Sequence, residues 1–387
     1  MEYMTIQDAA RKWQVSELVV QHYCATRRIP GALHRSGVWS IPARAPKPAD
    51  PEQANAALTL MPLLNTSFPP GSGLAAVEGF RDPHARAIAR AEYAYFQGRA
   101  EDAAQLAELY LSHPDLSLRL SACLIYAYAN LTLERPPRTR MALEEVRHIF
   151  LATDETAPPS LRAAAAAITA AAAVLLHLPL PEGMGDLQQY LPLLPPGLRM
   201  FSLYVQAHHA YLLGDYGRSI GIAETALSLQ TGPYLIPAIY LHLVAVMDYM
   251  SLRQPEKAQD HLLTAWELAR PDDLIEAFGE HHGLLGGMLE AVLKKDWPED
   301  FKRIINITYQ FSSGWRKIHN PSTGHDVADN LTTTEFAVAM LAARDWSNQE
   351  IAAHLGISTN TVKHYLSSIL QKLNIKQRKD LRQYMLL

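Results

Sequence analysis

The sequence predicts a mostly helical protein that carries a helix-turn-helix module at each end and stacked helix pairs between them. Helix-start signals repeat three times between residues 332 and 361, and related spacing occurs before residue 43. Between residues 73 and 311, apolar residues recur at helical spacing and no strand-like alternation stands out. Turn residues separate these helices at intervals near 40 residues, which is typical of stacked helical repeats.

Composition and charge direct attention to the two ends of the chain. Of the 387 residues, 48% are hydrophobic and only two are cysteines, which favours a cytoplasmic protein with a large core and no disulfide framework. Residues 1–48 carry seven Lys and Arg against three Asp and Glu, and residues 316–387 carry nine against six, although the net charge is −4. The ends are therefore expected to meet a polyanion, with chance surface charge as the alternative.

No membrane partner is expected. The N-terminus lacks the basic start and apolar run of a signal peptide. The longest apolar stretch, residues 163–178, is mostly alanine and lies between Arg162 and Pro179. A membrane span needs about 20 strongly apolar residues, so we interpret this stretch as a buried helix.

The first 43 residues predict a helix pair followed by a basic hairpin. Thr5 is the expected N-cap of the first helix. Val20 and Tyr23 have the same spacing as Val362 and Tyr365, which are expected core residues of the C-terminal helix pair. The stretch Leu33 to Ile41 predicts two short strands around Arg35-Ser36-Gly37. A helix pair with such a hairpin forms a winged helix, whose basic wing can lie along a phosphate backbone.

A resemblance to the MerR/excisionase-like winged helix-turn-helix group is carried by Thr5-Ile6-x-x-Ala9-Ala10, Val15-Ser16, Val20, Tyr23, Arg27 to Pro30 and Trp39-x-Ile41-Pro42. The resemblance implies DNA contacts from the second helix and the wing. The residues concerned are Ser16, Glu17, Gln21, His22, Arg27, Arg28 and Arg35. The alternative is a small helical module that serves protein contacts or interdomain packing.

The central region is expected between two linkers. Residues 44–72 are rich in proline and small residues and predict the first linker, residues 73–311 the helical domain, and residues 312–330 the second linker. Turns are expected near Gly98, Pro136, Gly214 and Gln254, and the longest interval between them leaves room for one further unit in the alanine-rich region.

The central pattern resembles degenerate tetratricopeptide repeats like those of MalT-type regulators. The segments that carry the resemblance begin at Tyr93, Ala207 and Val246. Such a solenoid usually binds a partner protein or a small molecule on its concave face. Candidate metal-binding or pH-sensing residues are His208, His209, His242, His281 and His282. Ordinary helical histidines are the alternative.

The C-terminal block, residues 331–387, contains a helix pair joined by a tight turn. The capping signals are Thr332 with Glu335, Ser347 with Glu350, and Ser358. Gly356 supplies the turn residue that tolerates positive φ, and Val362 is expected to pack back on the first helix. The second helix of such a pair enters the major groove of DNA. A capped helical bundle without this function is the alternative.

The outward face of the helix that starts at Ser358 is polar and basic. It offers Thr359, Asn360, Lys363, His364 and Ser367, while the Ser358 and Thr361 hydroxyls and the helix N-terminus suit a phosphate. Lys363 is the best candidate for a guanine edge or a phosphate. Residues 358–387 hold six Lys and Arg, Lys372 among them, against one acidic residue. This balance is typical of a DNA-binding surface.

The block resembles the LuxR-type helix-turn-helix family of bacterial regulators over its whole length. The matching residues are Leu331-Thr332, Glu335, Ser347-Asn348-x-Glu350-Ile351-Ala352, Leu355-x-Ile357-Ser358, Thr361-Val362-Lys363, Ile369-x-x-Lys372-Leu373 and Arg378. The resemblance implies a four-helix DNA-binding domain. Its third helix would make base contacts through Lys363, His364 and Ser367, and its fourth, about Gln377 to Met385, would support dimerisation. Thr334 and Asp345 depart from the family pattern, and Asp345 puts the first turn in doubt.

These observations predict a DNA-binding transcription regulator that acts as a homodimer on double-stranded DNA. The helical middle would sense an unknown small molecule or protein. The sequence has no Gly-x-x-x-x-Gly-Lys-Ser/Thr loop, His-Glu-x-x-His or Cys-x-x-Cys, so we expect neither enzymatic activity nor a cofactor. The main alternative is a protein-interaction scaffold whose terminal modules do not bind promoters, and a more remote one is an enzyme with an unrecognised helical active site.

Overall fold

The structure is a computed structural model of the chain. It describes residues 3–13, 15, 17, 20, 23–24, 28–35, 38–48, 59–153, 157–178, 180–181, 184, 186–319 and 331–382. The chain divides into two compact units, residues 1–57 and residues 58–387.

The first unit combines a short sheet with a helix. Its elements are β1 (Tyr3–Met4), α1 (Ile6–Trp13), β2 (Leu33–Arg35) and β3 (Val38–Pro42). The strands pair antiparallel in the order β1-β3-β2. The predicted N-cap is confirmed, because the Thr5 Oγ1 accepts from the Asp8 amide at 3.1 Å.

The predicted hairpin in the first unit is also confirmed. Leu33 pairs with Ser40, and His34 pairs with Trp39. Val20, Tyr23 and Ile41 are buried in the small core of this unit. These apolar side chains therefore fill the space between the helical residues and the sheet.

The second unit begins with an array of antiparallel helices in which each helix packs on the next along the chain. These helices are α2 (Gly73–Glu78), α3 (Pro83–Phe96), α4 (Ala100–Glu108), α5 (Leu116–Thr132), α6 (Pro136–Ala152), α7 (Pro159–Leu175), α8 (Pro196–Leu212), α9 (Tyr216–Ser228), α10 (Leu235–Ser251) and α11 (Pro255–Ala269). The four predicted turns are confirmed between α3 and α4, α5 and α6, α8 and α9, and α10 and α11. Each contains one residue with positive φ, namely Gly98, Glu134, Gly214 and Arg253.

The alanine-rich stretch forms the buried helix α7, as predicted, with Ala163 to Val174 packed inside the core. It does not supply the further helix pair that the repeat spacing led us to expect. Among the described residues between α7 and α8, the backbone forms only the 3₁₀ turns Leu187–Gln189 and Leu191–Leu193. Within the described parts of the chain, no helix has the length and apolar character needed to cross a bilayer.

A second group of helices returns across the first. It comprises a 3₁₀ turn (Arg270–Asp272), α12 (Glu276–His281), a π-helical turn (Leu289–Leu293), α13 (Lys294–Asp296) and α14 (Pro298–His319). Helix α12 contacts α3 and α10, and α14 packs on α5, α6 and α12.

The prediction of a linker at residues 312–319 is wrong, because these residues continue α14. The pair Ser312-Ser313 beside Gly314 suggested a break, but the glycine serves close packing. A Cβ atom at Gly314 would overlap the carbonyl oxygen of Leu131, so only glycine allows α14 to approach α5 this closely. Residues 320–330 of the predicted linker lie outside the described residues.

The predicted first linker is also wrong over its second half. Leu60, Leu63 and Leu64 are buried in the core of the second unit. Two carboxylate oxygens of the buried Glu92 accept from the amides of Leu63 at 3.0 Å and Leu64 at 2.9 Å. Because these bonds satisfy the irregular backbone, residues 59–72 form part of the folded unit rather than a tether.

The packing of α14 predicts opposite effects for two Gly→Ala substitutions inside helices. Gly314→Ala should lower the free energy of unfolding by about 3 kcal/mol, because the added methyl group meets backbone. Gly221→Ala in α9 has open space around its Cβ position and should raise stability by about 0.5–1 kcal/mol. Urea unfolding of both variants measures this. Equal effects of the two substitutions would contradict the placement of α14.

Candidate nucleic-acid interface

The C-terminal block contains three helices up to residue 372, and each begins at a predicted cap. They are α15 (Thr333–Ala343), α16 (Asn348–Leu355) and α17 (Thr359–Lys372). Both capping boxes are present, with reciprocal bonds in the Thr332–Glu335 and Ser347–Glu350 pairs. Ser358 caps α17 by accepting from the Thr361 amide at 3.0 Å. These caps fix where each helix starts and thus how α16 leads into α17.

The turn between α16 and α17 is the predicted one. Gly356 has a φ of +64°, in the left-handed region that favours glycine. Ile351 and Val362 are fully buried on either side of the turn. The two helices are therefore joined by a single sharp turn over a shared apolar core.

One buried carboxylate ties α15 to α17. Glu335 accepts from the Thr332 amide at 2.8 Å, from the Ser368 hydroxyl at 2.7 Å and from the Lys372 ammonium at 2.7 Å. Burial raises the pKa of Glu335, but the bonds from Lys372, Thr332 and Ser368 outweigh it and lower the pKa to about 2. Glu335 is therefore charged near neutral pH and holds two turns of α17 against the start of α15.

The first turn, between α15 and α16, contains Asp345, one of the two residues that depart from the pattern the sequence resembles. Asp345 has a φ of +61°, so a non-glycine residue takes the left-handed conformation at some cost. Its carboxylate pairs with Arg382, and its carbonyl oxygen accepts from Arg253. These two contacts support the strained residue from both sides of the turn.

The predicted reading face of α17 points away from the core. Asn360, Lys363, His364 and Ser367 are exposed, and Thr359 and Thr361 are half-buried. Ser358 is exposed at the helix start, where its hydroxyl lies 2.7 Å from the Thr361 hydroxyl. The structure thus brings the predicted C-terminal site residues together at the N-terminal end and one side of a single helix.

Lys372 lies at the far end of the same helix and differs from the others. Its ammonium pairs with Glu335 inside the domain. The predicted fourth helix is described only in its first residues, as a 3₁₀ turn at Arg378–Asp380 followed by helical Leu381 and Arg382. Residues 383–387 lie outside the described residues.

The C-terminal block packs on the central helices through α15 and α16. Phe336 lies against Gly283, where a Cβ atom would be 2.9 Å from its ring, and Leu355 lies against Gly287 at the same distance. The buried Arg344 donates to the Tyr211 hydroxyl at 2.8 Å and to the Leu284 carbonyl oxygen at 3.0 Å. We call this contact the docking seam. It leaves the reading face of α17 exposed.

The structure describes only some of the predicted N-terminal site residues. Ser16, Gln21, His22 and Arg27 lie outside the described residues. Glu17 is exposed on helical backbone, and Arg35 is the last residue of β2. The Arg28 guanidinium lies 5.2 Å from the centre of the Tyr23 ring, so it packs on the core of its own unit.

The histidines singled out in the sequence do not assemble into a metal site. Within the described residues, no group of three or more metal-ligating side chains could hold an ion. His281 donates from Nδ1 to the Ala277 carbonyl oxygen at 2.7 Å, and its Nε2 lies 2.6 Å from the Tyr204 hydroxyl. Burial lowers the pKa of His281 to about 4. It is therefore a neutral, hydrogen-bonded core residue at pH 7.

One sequence pattern resembles the nucleophile motif of hydrolases, but it does not have the backbone structure of that motif. Gly217-Arg218-Ser219-Ile220-Gly221 has the Gly-x-Ser-x-Gly spacing, which marks a nucleophile only on a sharp strand-to-helix turn. Here it lies inside α9. Ser219 is fully buried and donates to the Ala207 carbonyl oxygen at 2.8 Å.

A comparison with known protein families matches this C-terminal block. Residues 329–385 match the family described as bacterial regulatory proteins, luxR family. Similar proteins include the probable transcriptional regulatory protein SgaR of Hyphomicrobium methylovorum, 41% identical over 14% of this chain and 26% of that protein. The response regulator protein VraR of Staphylococcus saprophyticus is 31% identical over 25% of this chain and 50% of that protein. The transcriptional regulatory protein DesR of Bacillus subtilis is 33% identical over 23% of this chain and 45% of that protein.

The chain spans between a quarter and a half of the length of each of these relatives. Because residues 329–385 match the luxR family, the C-terminal block is a LuxR-type helix-turn-helix domain, as its residues predicted. The N-terminal and central resemblances remain predictions.

The bonds of Glu335 predict a pH-dependent contribution to stability. At pH 7, Glu335→Gln should lower the free energy of unfolding by about 2 kcal/mol, since it removes the charge that Lys372 and the Thr332 amide bind. The folded-state pKa of about 2 lies below the ordinary 4.5, so this stabilisation is present above pH 4.5 and is lost as the pH falls toward 2. Denaturant unfolding followed by tryptophan fluorescence at several pH values measures the difference in the free energy of unfolding between the wild type and Glu335→Gln.

The control for this prediction is Glu350→Gln, which alters the exposed capping box of α16. Its loss should be smaller, because Glu350 is exposed, and beyond the bonds of its own helix start it forms a long ion pair of 3.8 Å with Arg253. A wild-type advantage over Glu335→Gln that is the same at pH 2.5 and pH 7 would contradict the assigned bonds.

Proposed function

We propose that the chain is a transcription regulator that binds duplex DNA by placing α17 in the major groove. The observation that carries this proposal is the exposed polar and basic face of α17, held on a capped helix-turn-helix with an apolar core. A helix presented in this way can reach base edges while its neighbours contact the backbone. The names of the similar proteins SgaR and DesR, which describe transcriptional regulators, support the proposal.

The proposed contacts divide into positioning and reading. The hydroxyls of Ser358 and Thr361 and the N-terminal amides of α17 suit a phosphate. Lys363, His364 and Ser367 follow on the exposed side and would read bases, with Lys363 the best donor to guanine. Thr359 and Asn360 would flank them. Lys372 is a weaker candidate, because its ammonium is already paired with Glu335.

The first unit is proposed as a second DNA-binding element of the winged-helix type. Its capped α1 and the hairpin β2–β3 support this assignment. Arg35 is the last residue of β2, and we propose that it contacts a phosphate as part of the wing. Two DNA-binding elements on one chain would raise occupancy through their effective concentration.

The central helices are proposed to act as a tetratricopeptide-like sensor that binds a partner or a small molecule. Their direct packing on the DNA-binding domain at the docking seam supports this role. The regulator is proposed to work in the cytoplasm and to bind as a homodimer, since paired half-sites on DNA mirror a two-fold protein.

Lys363→Ala tests the DNA-binding proposal. On genomic fragments enriched by binding to the full chain, affinity should fall about tenfold and the salt slope by about one, because one charged contact is lost. The matched control is Lys295→Ala, which removes an exposed lysine from α13 and should leave binding unchanged. Fluorescence anisotropy at several salt concentrations measures both. If no fragment is preferred over scrambled competitor, the chain is an interaction scaffold instead.

A further inference from the structure

An open groove lies at the docking seam. The first turns of α11 line one side of it, and residues between Trp346 and His354 line the other. Its volume is about 540 Å³, which is within the range of small-molecule sites. None of the residues proposed to contact DNA lines it. The groove is therefore a candidate site that the DNA-binding role does not use.

The floor of the groove is apolar. Met288 and Trp346 are buried, and Ala291 and Val292 are half-buried beside them in the lining. The ring of His354 lies 5.3 Å from the Trp346 ring, centre to centre. Burial lowers the pKa of His354, so this ring is neutral at pH 7 and adds no charge. Such a floor suits an apolar side chain.

Charged side chains of both signs line the same groove. They are Arg253, Glu256 and Glu350, and all three are exposed. Gln259 adds an exposed amide on α11, three residues after Glu256. Because these groups are in contact with water, a charged ligand can reach them without the cost of entering a closed apolar site.

Arg253 supplies the positive charge from a strained position. Its φ of +59° lies in the left-handed region, where Gly214 takes the same place in the turn between α8 and α9. A non-glycine residue in this conformation points to a role of its side chain. Its Nη2 donates to the Asp345 carbonyl oxygen and lies 3.8 Å from a carboxylate oxygen of Glu350. Both contacts use one nitrogen, so Nη1 and Nε remain for an anion.

The two carboxylates differ in what they already bind. Glu350 accepts from the Ser347 amide in its capping box and also faces Arg253. Among the described residues, no side chain forms a hydrogen bond or an ion pair with Glu256. Glu256 is therefore the carboxylate that is available to a cation.

The available charges of Arg253 and Glu256 favour a ligand that carries both signs. The two residues are three positions apart, before α11 and in its first turn. A purely anionic ligand would meet the repulsion of Glu256 and Glu350, and a purely cationic one that of Arg253. A ligand with a carboxylate and an ammonium group gains a charge-assisted hydrogen bond at each end.

We propose that this groove binds a small amphipathic zwitterion, an α-amino acid or a dipeptide with large apolar side chains. Its carboxylate pairs with Arg253, and its ammonium group pairs with Glu256. Its apolar side chain packs on Met288 and Val292. This assigns a ligand class to the sensor role proposed for the central helices and places the site at the docking seam.

A ligand in the groove contacts both sides of the docking seam. Its charged anchors belong to α11 and the turn before it, while Trp346 and Ala353 of the DNA-binding domain line the other side. Binding therefore favours the docked arrangement over one in which the two sides separate. DNA affinity changes with this equilibrium, a step that rests on the proposed function.

The binding test uses the full-length protein and probes that differ by one charge. Isothermal titration compares L-leucine and L-leucyl-L-leucine with 4-methylpentanoate, which lacks the ammonium group, and with 3-methylbutylammonium, which lacks the carboxylate. At least one zwitterion should bind, and both single-charge analogues should bind about tenfold more weakly or not at all. The tighter of the two zwitterions identifies the length of the ligand.

Variants of each anchor test the assigned pairs. Glu256→Gln should lower the affinity for the zwitterion about tenfold and remove its advantage over 4-methylpentanoate. Arg253→Gln should remove its advantage over 3-methylbutylammonium. Ala353→Phe fills part of the groove without changing charge and should abolish binding. The matched control is Glu267→Gln, which alters an exposed carboxylate of α11 outside the groove and should leave binding unchanged.

Three results would overturn the proposed site. They are no binding of either zwitterion, equally tight binding of a single-charge analogue, and wild-type affinity of Glu256→Gln for the zwitterions. Arg253→Gln also removes contacts with Asp345 and Glu350, so Glu256→Gln, which breaks no described contact, is the decisive variant.

The coupling step has its own readout. DNA affinity measured with and without the bound zwitterion should differ at least about threefold in the wild type and not in Glu256→Gln. Ligand binding without any effect on DNA affinity would overturn the coupling and leave the site. A chain that binds the zwitterion but no DNA would instead overturn the proposed function.

Discussion

The orientation of α17 depends on the buried carboxylate of Glu335. It caps α15 through Thr332 and at the same time binds Ser368 and Lys372 on α17. A helix that reads DNA must be held within a fraction of an ångström, because direct readout depends on bidentate geometry. One charged group that closes a cap and anchors two turns of a second helix provides that constraint. The exposed face of α17 follows from it, since Val362 and Ile369 on the other side are buried.

The docking seam sets how the DNA-binding domain is joined to the central helices. Gly283 and Gly287 allow Phe336 and Leu355 to pack directly on backbone. The seam also contains polar atoms that have no hydrogen-bond partner among the described residues, such as Nε and Nη1 of Arg344 and Nε1 of Trp346. Buried polar groups that lack partners weaken an interface relative to an apolar core. The contact between the two sets of helices is therefore weaker than a fully apolar seam of the same size would be.

Local rules predicted the elements whose stability is local. The caps at Thr332, Ser347 and Ser358, the turn at Gly356 and the hairpin after Leu33 depend on residues close in sequence, and all are confirmed. The reading face of α17 could be predicted for the same reason, because exposure follows from helical periodicity around a few core positions. Its contacts with DNA remain predictions.

What failed depends on contacts between distant residues. In the sequence Gly314 resembles a helix breaker, but in the structure it allows close packing against Leu131. The segment around Leu60 was predicted as a linker, but the Leu63 and Leu64 amides donate to the buried Glu92. Likewise, Glu280 looks like an ordinary helical surface residue in the sequence. Only the approach of α3 and α10 brings Tyr95 and Tyr240 to its oxygens. Contacts between residues so far apart in sequence cannot be predicted from the spacing of residues along the chain.

The central claim, that α17 enters the major groove, can be tested by cleavage from a tethered reagent. Both native cysteines, Cys24 and Cys123, are buried, so a cysteine introduced by His364→Cys accepts an iron chelate selectively. On an enriched genomic fragment, cleavage should be confined to a few base pairs with the strand offset of a major-groove source. The same chelate attached through Gln105→Cys on α4 should cut nothing. No cleavage from position 364 in a complex that still forms, or equal cleavage from both positions, would contradict the account.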